Sequence, residues 1–469
     1  MEDKEKMTLR KGADEINGLG FVLENMEVLS GPGRRMLLHL PYLTDAASIE
    51  SELDAVESVR ADMESHGAEM DAVCLQLMQL RDIHSTIRNL DKGLVPDDVD
   101  LYELKALALI AEEVCRLCGM AGSTAVEVPD LTAPLDILDP EGQRVPSFYV
   151  YDCYSRRLAE LRHTLKELRA AGEGKAAEAE ECYRQSVEEE DRVRVRLAEE
   201  LKPYAPRFAS ALEALGRLDV LIAKVRLNMK LHLVRPRCSR HTTVYRGLFN
   251  PQVAEVLRRR GREFQPVDIT IEPGTTIITG ANMAGKSVVL KTVALAQAMC
   301  QYGFYVPAAG ATVRPVDEIL VSMGDRQSEL DGLSSFASEM LKINSIIQKI
   351  KGGESALVLI DEPARTTNPT EGKALVNAIA DYLHSASVAA LITTHYSGIA
   401  TPCRRLRVKG LRPDVEASGL DVGRIDECID YSLMPDSDTE VPHEALRIAR
   451  MLGVDNDITQ GAETYLKKY

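Results

Sequence analysis

Eight consecutive residues constrain this chain more than any others. Gly280-Ala281-Asn282-Met283-Ala284-Gly285-Lys286-Ser287 fits G-x-x-x-x-G-K-[ST], a loop whose backbone N–H groups cradle phosphates at the mouth of a helix. The flanks agree with that reading. Thr275-Thr276-Ile277-Ile278-Thr279 reads as a short β-branched strand, and Val288 to Leu295 opens an apolar helix. Strand, glycine-bearing loop and helix in that order call for an α/β layer built on parallel strands. In such a loop Lys286 reaches the β- and γ-phosphates, and the Ser287 hydroxyl holds Mg²⁺. The bland alternative is a glycine-rich strand-to-helix turn that binds nothing. Three further segments weigh against it.

Ala356-Leu357-Val358-Leu359-Ile360-Asp361-Glu362 is a buried-strand run ending in two acids. A continuous apolar strand belongs inside a parallel sheet, whose C-terminal edge faces the ligand crevice. Asp361 is then placed for the Mg²⁺ shell, and Glu362 to orient and deprotonate an attacking water. A helix-capping acid after a strand is the plainer reading. Ala389-Ala390-Leu391-Ile392-Thr393-Thr394-His395 is another strand, and a histidine at its end can donate a hydrogen bond to the γ-phosphate or the lytic water. Leu333-Ser334-Ser335-Phe336-Ala337-Ser338-Glu339-Met340 is a serine-rich helix opening. It suits an anion, or simply caps its own helix.

The phosphate loop with its Asn282-Met283 insert, the run 324–328 (Gly-Asp-Arg-Gln-Ser), Leu-Ser-Ser-Phe at 333–336, Asp-Glu-Pro-Ala-Arg-Thr-Thr at 361–367 and Thr-Thr-His-Tyr at 393–396 together resemble the MutS family of ATPases. The run at 324–328 is closer to the second, non-mismatch branch. Residues 444–453 are similar to the family's final helix. The resemblance implies an ABC/MutS-type α/β P-loop ATPase domain, a mostly parallel sheet flanked by helices, preceded by a mostly α-helical core or lever domain. The expected division is 1–235 for the core and 236–469 for the ATPase.

The resemblance also implies site residues. ATP and Mg²⁺ occupy a site made by Gly280, Ala281, Asn282, Met283, Ala284, Gly285, Lys286, Ser287 and Val288. Asn282 lies on the γ-phosphate side, and Phe264 packs against adenine. Ser287 and Asp361 hold the metal; Lys286, Glu362 and His395 carry the hydrolysis. Two ATPase domains pair, so that Ser334, with Ser335 beside it, completes the partner's nucleotide in a homodimer. Two departures stand out. The stretch 363–369, Pro-Ala-Arg-Thr-Thr-Asn-Pro, replaces a more glycine-rich loop that communicates across the dimer, and Val288 stands where threonine is usual. Neither removes a group the chemistry needs, so the expected activity is an ATPase, if a slow one.

Composition bounds the partners. The 469 residues carry 56 basic and 72 acidic side chains, a net charge of −16. Duplex DNA is held chiefly by Lys and Arg neutralising phosphates, so this balance disfavours a DNA partner without removing the local clusters at 258–262 and 404–409. No stretch approaches the ~20 apolar residues of a membrane span. The charged start, Met1 to Lys6, does not read as a signal peptide. Nine scattered cysteines fit free thiols in a reducing cytoplasm, and Cys115-x-x-Cys118 lacks a second ligand pair.

The N-terminal half reads as helical from Ile49, Leu53, Val56 and Val59 onward, with another helix beginning near Pro96-Asp97-Asp98 and an irregular connection over 128–146. Residues 155–202 read as a helical hairpin whose turn, 170–175, leaves almost no room for the DNA clamp that the family carries on long helices. Residues 1–30 are too few for mismatch-reading or connector domains, and no nuclease domain is evident. Mismatch repair is therefore not expected.

Two partner classes follow. A compact, acidic MutS-like chain resembles the ATPase subunit of the reactivase for lysine 5,6-aminomutase, an adenosylcobalamin enzyme. The resemblance implies a small second reactivase subunit and ATP-driven release of damaged cobalamin from the mutase. The stretch 137–151 adds to that impression. The alternative is a DNA-binding MutS homologue acting on branched or recombining DNA.

Overall fold

The computed structural model describes residues 7–280, 285–324, 335–412, 428–436, 444–451 and 453–466, the side chains of 173, 335, 444 and 445 excepted. The chain packs as two compact units. Met1–Asn25, Pro41–Leu53 and Leu227–Tyr469 make one; Met26–Leu40 and Asp54–Arg226 make the other. Residues 7–25, expected with the helical half, thus pack in the unit that holds the strands.

Ten strands lie among the described residues: β1 (Arg237–Cys238), β2 (Thr243–Leu248), β3 (Val267–Ile271), β4 (Thr275–Thr279), β5 (Gly310–Val313), β6 (Glu318–Ser322), β7 (Ala356–Asp361), β8 (Ala389–Thr393), β9 (Arg404–Leu411) and β10 (Ile429–Pro435). They form a four-stranded sheet, β1-β5-β2-β3, and a six-stranded sheet, β10-β9-β4-β8-β7-β6. In the larger sheet only β10 runs antiparallel to its neighbour, β9. The result is a mostly parallel sheet with an antiparallel edge.

Both faces of the larger sheet are covered, and the strand composition requires it. Ala356, Val358 and Ile360 alternate onto one face, where Ile343 and Ile346 of helix Ser335–Lys351 and Val376 and Ile379 of helix Pro369–Ser385 meet them. Leu357 and Leu359 take the opposite face, and helix Lys286–Gln301 packs on β6, β7 and β8. A strand buried on both sides reads as an unbroken apolar run, as 356–360 does.

Helix Lys286–Gln301 is buried almost all round, so its two glutamines must find partners inside. Gln301 Nε2 donates to the carbonyls of Leu43 (2.8 Å) and Val316 (2.7 Å), and its Oε1 accepts from Gln297 Nε2 (2.8 Å). Gln297 Nε2 also donates to the Arg314 carbonyl at 2.9 Å. The bond to Leu43 ties the 41–53 segment to this helix. Tyr302 adds a second tie, donating from its hydroxyl to Thr8 O at 3.2 Å and meeting the Tyr42 ring edge-on.

The other unit is helical. Helix Asp98–Ala121 starts with a reciprocal capping box between Asp97 and Asp100 and stops at Gly122, in the left-handed region with φ 65°. Helices Arg156–Ala170 and Ala176–Leu201 pack on each other as a hairpin, with Ser155 bonded to Glu189 and Cys182 to the Leu161 carbonyl. The connection expected to be irregular over 128–146 contains a helix, Thr132–Leu138. Asp130 accepts from the Thr132 N–H at 2.9 Å, and Pro134 falls in the first turn, where its missing N–H costs nothing.

Inside this unit Lys105 is fully buried. Its ammonium donates to Asp139 Oδ1 and to the Tyr151 hydroxyl, each at 2.9 Å. Burial pushes the Asp139 carboxyl up, but the Arg144 amide (2.7 Å) and Lys105 outweigh it and hold it below the ordinary carboxylate range. Lys105→Met should therefore cost about 3–5 kcal/mol, because it strands a buried carboxylate. Adding Asp139→Asn should recover part of that. Denaturant titration followed by far-UV circular dichroism measures both; an unmoved midpoint in the single variant would refute the argument.

Candidate nucleotide site

The site is built where β4, β7 and β8 end side by side. Their register pairs Ile278 with Thr393 and Asp361 with Thr393, so the three strand ends share one edge of the sheet. From β4 the chain passes Gly280 and reaches Gly285, which caps helix Lys286–Gln301 with φ 75°. A side chain at Gly285 would be strained by that φ, and its Cβ would lie 2.9 Å from the Tyr431 ring. Residues 281–284 lie outside the described residues. Lys286 is buried, and its ammonium donates to the Gly280 carbonyl at 2.7 Å and pairs with Glu362 Oε1 at 3.3 Å.

Thr393 organises the two acids of β7. Its hydroxyl donates to Asp361 Oδ1 at 2.6 Å and accepts from the Glu362 N–H at 3.0 Å; its carbonyl accepts from the same N–H at 3.1 Å. Asp361 is thereby aimed by a fully buried neighbour. Beyond it the backbone turns sharply. Glu362 and Ala364 both occupy the left-handed region, with φ of 46° and 60°. Residues with a Cβ adopt that region at a cost and keep it only where their surroundings enforce it. Arg365 Nη1 pairs with Glu362 Oε2 at 3.1 Å, so in this structure Glu362 lies between two cations.

His395 follows β8 and Thr394, with its ring 4.2 Å from that of Tyr396. Burial pushes its pKa down from 6.5; the charges of Lys286 and Arg365 act the same way, and that of Glu362 opposes them. The imidazole is thus held neutral at pH 7.

A cavity of about 500 Å³ opens beside the start of helix Lys286–Gln301. Gly285, Val288, Val289, Phe264, Leu257 and Tyr431 are among its lining residues, with Arg262, Glu263 and Arg412 adding charge. Apolar walls with a few polar groups are what a flat aromatic group needs. Gln265 braces the wall: its Nε2 donates to Asp430 Oδ1 at 2.8 Å, and its Oε1 accepts from the Tyr431 N–H at 3.2 Å.

Of the residues singled out in the sequence, Gly280, Gly285, Lys286, Asp361, Glu362 and His395 lie at this edge, while Val288 and Phe264 line the cavity. Ser287 follows Lys286 in the first turn of the helix. Ala281, Asn282, Met283, Ala284 and Ser334 lie outside the described residues; Ser335 opens its helix, but its side chain is not described. The structure adds Thr393, Arg365 and Tyr431. Thr393 is the strongest omission, since Thr-Thr before His395 reads simply as strand.

Residues 276–469 match MutS domain V. The chain is also similar to curated proteins of fuller length. It is 32% identical over 294 residues to the endonuclease MutS2 of Caldanaerobacter subterraneus subsp. tengcongensis, covering 62% of this chain and 35% of that protein. It is 30% identical over 287 residues to the endonuclease MutS2 of Carboxydothermus hydrogenoformans, with 57% and 34% covered. With the endonuclease MutS2 of Pelotomaculum thermopropionicum it shares 36% identity over 214 residues, 44% of this chain and 26% of that one. The chain spans about a third of the length of these relatives or less. The likeness to MutS domain V thus lies in the C-terminal part of the chain. Among the described residues no helix is long and apolar enough to cross a membrane.

Proposed function

We propose that this chain binds ATP with Mg²⁺ and hydrolyses it through a P-loop ATPase fold, using turnover to switch a homodimer between conformations. The observation that carries the reading is the meeting of Lys286, Asp361 and Glu362 at one sheet edge, with an apolar cavity directly beside Gly285. The sequence pattern over 280–287 and the Lys286 ammonium suit phosphates; adenine fits the cavity against Phe264 and Val288. The Ser287 hydroxyl and the Asp361 carboxylate are the hard oxygen donors Mg²⁺ takes. Bound there, the metal supplies charge neutralisation on the phosphates.

The chain's own residues divide the remaining work. An arriving triphosphate competes with Glu362 for the Lys286 ammonium. Once that ammonium turns to phosphate oxygens, Glu362 Oε1 is released to accept the proton of the attacking water, while Arg365 keeps Oε2. Thr393 keeps Asp361 and the Glu362 backbone in place during the exchange. The test is steady-state phosphate release by the purified protein with ATP, with and without EDTA. Absence of turnover under both conditions would sink the reading.

His395 adds a pH signature. Its folded pKa lies below 6.5, so the neutral ring persists at neutral pH and is lost only as pH falls through that lowered value. Protonation sets a third cation beside Lys286 and Arg365. Turnover should hold in neutral solution and fall as pH drops through that lowered value, and His395→Gln should remove that acid limb. A pH–kcat profile with an unchanged limb in the variant would refute the role.

Two readings of the partner remain, each with its own support. The net charge of −16 and the short hairpin turn favour a protein partner, as in the reactivase of lysine 5,6-aminomutase with its small second subunit, acting in the cytoplasm. The relatives' name, endonuclease MutS2, supports a nucleic-acid partner, and with it the alternative of branched or recombining DNA. ATP turnover measured with each candidate separates them. Stimulation by cobalamin-inactivated mutase and indifference to DNA supports the first; stimulation by DNA alone supports the second. Pairing through Ser334 is tested by mixing Ser334→Ala and Lys286→Ala chains, where recovery of turnover indicates a composite site.

A further inference from the structure

The left-handed turn after β7 is gripped on both sides of one peptide residue, by groups with no role in the reading above. The Ala364 N–H donates to Glu339 Oε2 at 3.2 Å and Oε1 at 3.3 Å. The Ala364 carbonyl accepts from the Tyr396 hydroxyl at 3.0 Å. Glu339 comes from helix Ser335–Lys351 and Tyr396 from the segment after β8, so two separate elements hold one residue. Gly372 completes the grip, because a Cβ there would strike the Tyr396 hydroxyl and come within 3.0 Å of the Ala364 carbonyl. Half-burial pushes the Glu339 carboxyl up, and the Ala364 amide partly offsets that. A half-buried carboxylate aimed at one backbone N–H is a costly arrangement unless the bond it makes matters.

What the bond enforces is the pair of left-handed residues, Glu362 and Ala364. Left unrestrained, a Glu-Pro-Ala turn would relax to ordinary φ values, and the Glu362 carboxylate would move with it. We propose that Glu339 is a positioning residue: by accepting the Ala364 amide, with Tyr396 holding the carbonyl, it fixes the turn that aims Glu362 at the attacking water. This deepens the hydrolytic reading and rests on it. It also gives helix Ser335–Lys351, which follows the serine-rich stretch at 333–335, a direct mechanical link to Glu362. A shift of that helix moves the carboxylate that takes the proton.

The test uses the full-length chain with Glu339→Leu, Glu339→Gln and Tyr396→Phe. The glutamine keeps an acceptor oxygen for the Ala364 amide, and the leucine does not. Glu339→Leu should lower kcat about tenfold to a hundredfold, the scale of a misplaced catalytic group, with KM for ATP and the melting temperature unchanged. Glu339→Gln should stay within about threefold of the parent. Tyr396→Phe should lower kcat too, and its effect should not add fully to that of Glu339→Leu, because both hold one residue. Unchanged kcat in Glu339→Leu overturns the proposal, as does a parallel loss of KM, melting temperature and kcat, which marks a merely structural residue. Amide hydrogen exchange over 362–366 without nucleotide is independent of turnover. Faster exchange in Glu339→Leu but not in Glu339→Gln supports the grip; equal exchange in both overturns it. A parent chain with that exchange pattern but no turnover overturns the hydrolytic reading and the rate effect together, and leaves the grip standing.

Discussion

Lys286→Ala should abolish ATP turnover, lowering kcat/KM by at least about a thousandfold, while the protein remains folded. The ammonium is buried, bonded to the Gly280 carbonyl and paired with Glu362, so its removal acts at two points. The β- and γ-phosphates lose the cation that neutralises their charge, an interaction strongest where the developing charge sits in a water-poor site. Glu362 also loses one of its two cationic neighbours and keeps Arg365, which leaves a carboxylate repelling the incoming phosphates. Folding should survive, because helix Lys286–Gln301 is anchored further along by Gln297 and Gln301. Lys286→Arg is the informative companion. Its longer planar head cannot reproduce a point charge at 2.7 Å from Gly280, so it should rescue poorly. Equilibrium binding of a fluorescent ATP analogue, beside phosphate release, separates lost affinity from lost chemistry. Wild-type turnover in Lys286→Ala would dismantle the site as described.

How much of this was legible beforehand depends on whether the signal was local. The phosphate loop and the run ending in Asp361-Glu362 announce themselves because strand, turn and acid are contiguous. A strand buried on both faces has no polar alternation to confuse it. Thr393 was not legible. Threonine is an ordinary strand former, and only the register of β7 against β8 puts its hydroxyl on Asp361. Glu339 was one acid among 72, and its meaning depends on a backbone N–H some 25 residues away in sequence. The cavity draws its walls from residues as far apart as Leu248 and Tyr431, which no window along the chain can join. Helix Thr132–Leu138 was hidden by Pro134, a residue that argues against a helix unless its place in the first turn is known. The packing of residues 7–25 rests on long-range contacts, such as Tyr302 with Thr8 and Gly12 and Leu295 with Gly18, and no window along the sequence joins those residues.

Glu362→Gln should separate binding from chemistry in the opposite sense to Lys286→Ala. The amide keeps the size and polarity of the carboxylate and its place beside Lys286, but it cannot take a proton from water. Turnover should fall by about a hundredfold or more, within the 10²–10⁴ usually lost with a general base, while ATP affinity holds or rises. It can rise because the negative charge that competes with phosphate for Lys286 and Arg365 is gone. A chain that binds ATP and cannot release phosphate should gather in whichever conformation ATP favours. If that conformation is a closed dimer, size-exclusion chromatography with ATP should show a shift in Glu362→Gln that the parent shows only transiently, and Lys286→Ala should show none. The left-handed turn sharpens the prediction. Because backbone bonds hold the turn, Glu362 N–H to Thr393 and Ala364 N–H to Glu339, and the Glu362 side chain takes no part in them, the substitution should leave the turn intact. The loss is then chemical, and hydrogen exchange over 362–366 should match the parent. Normal turnover in Glu362→Gln would assign the base elsewhere; loss of turnover with faster exchange would mean that the carboxylate shapes the turn it stands on.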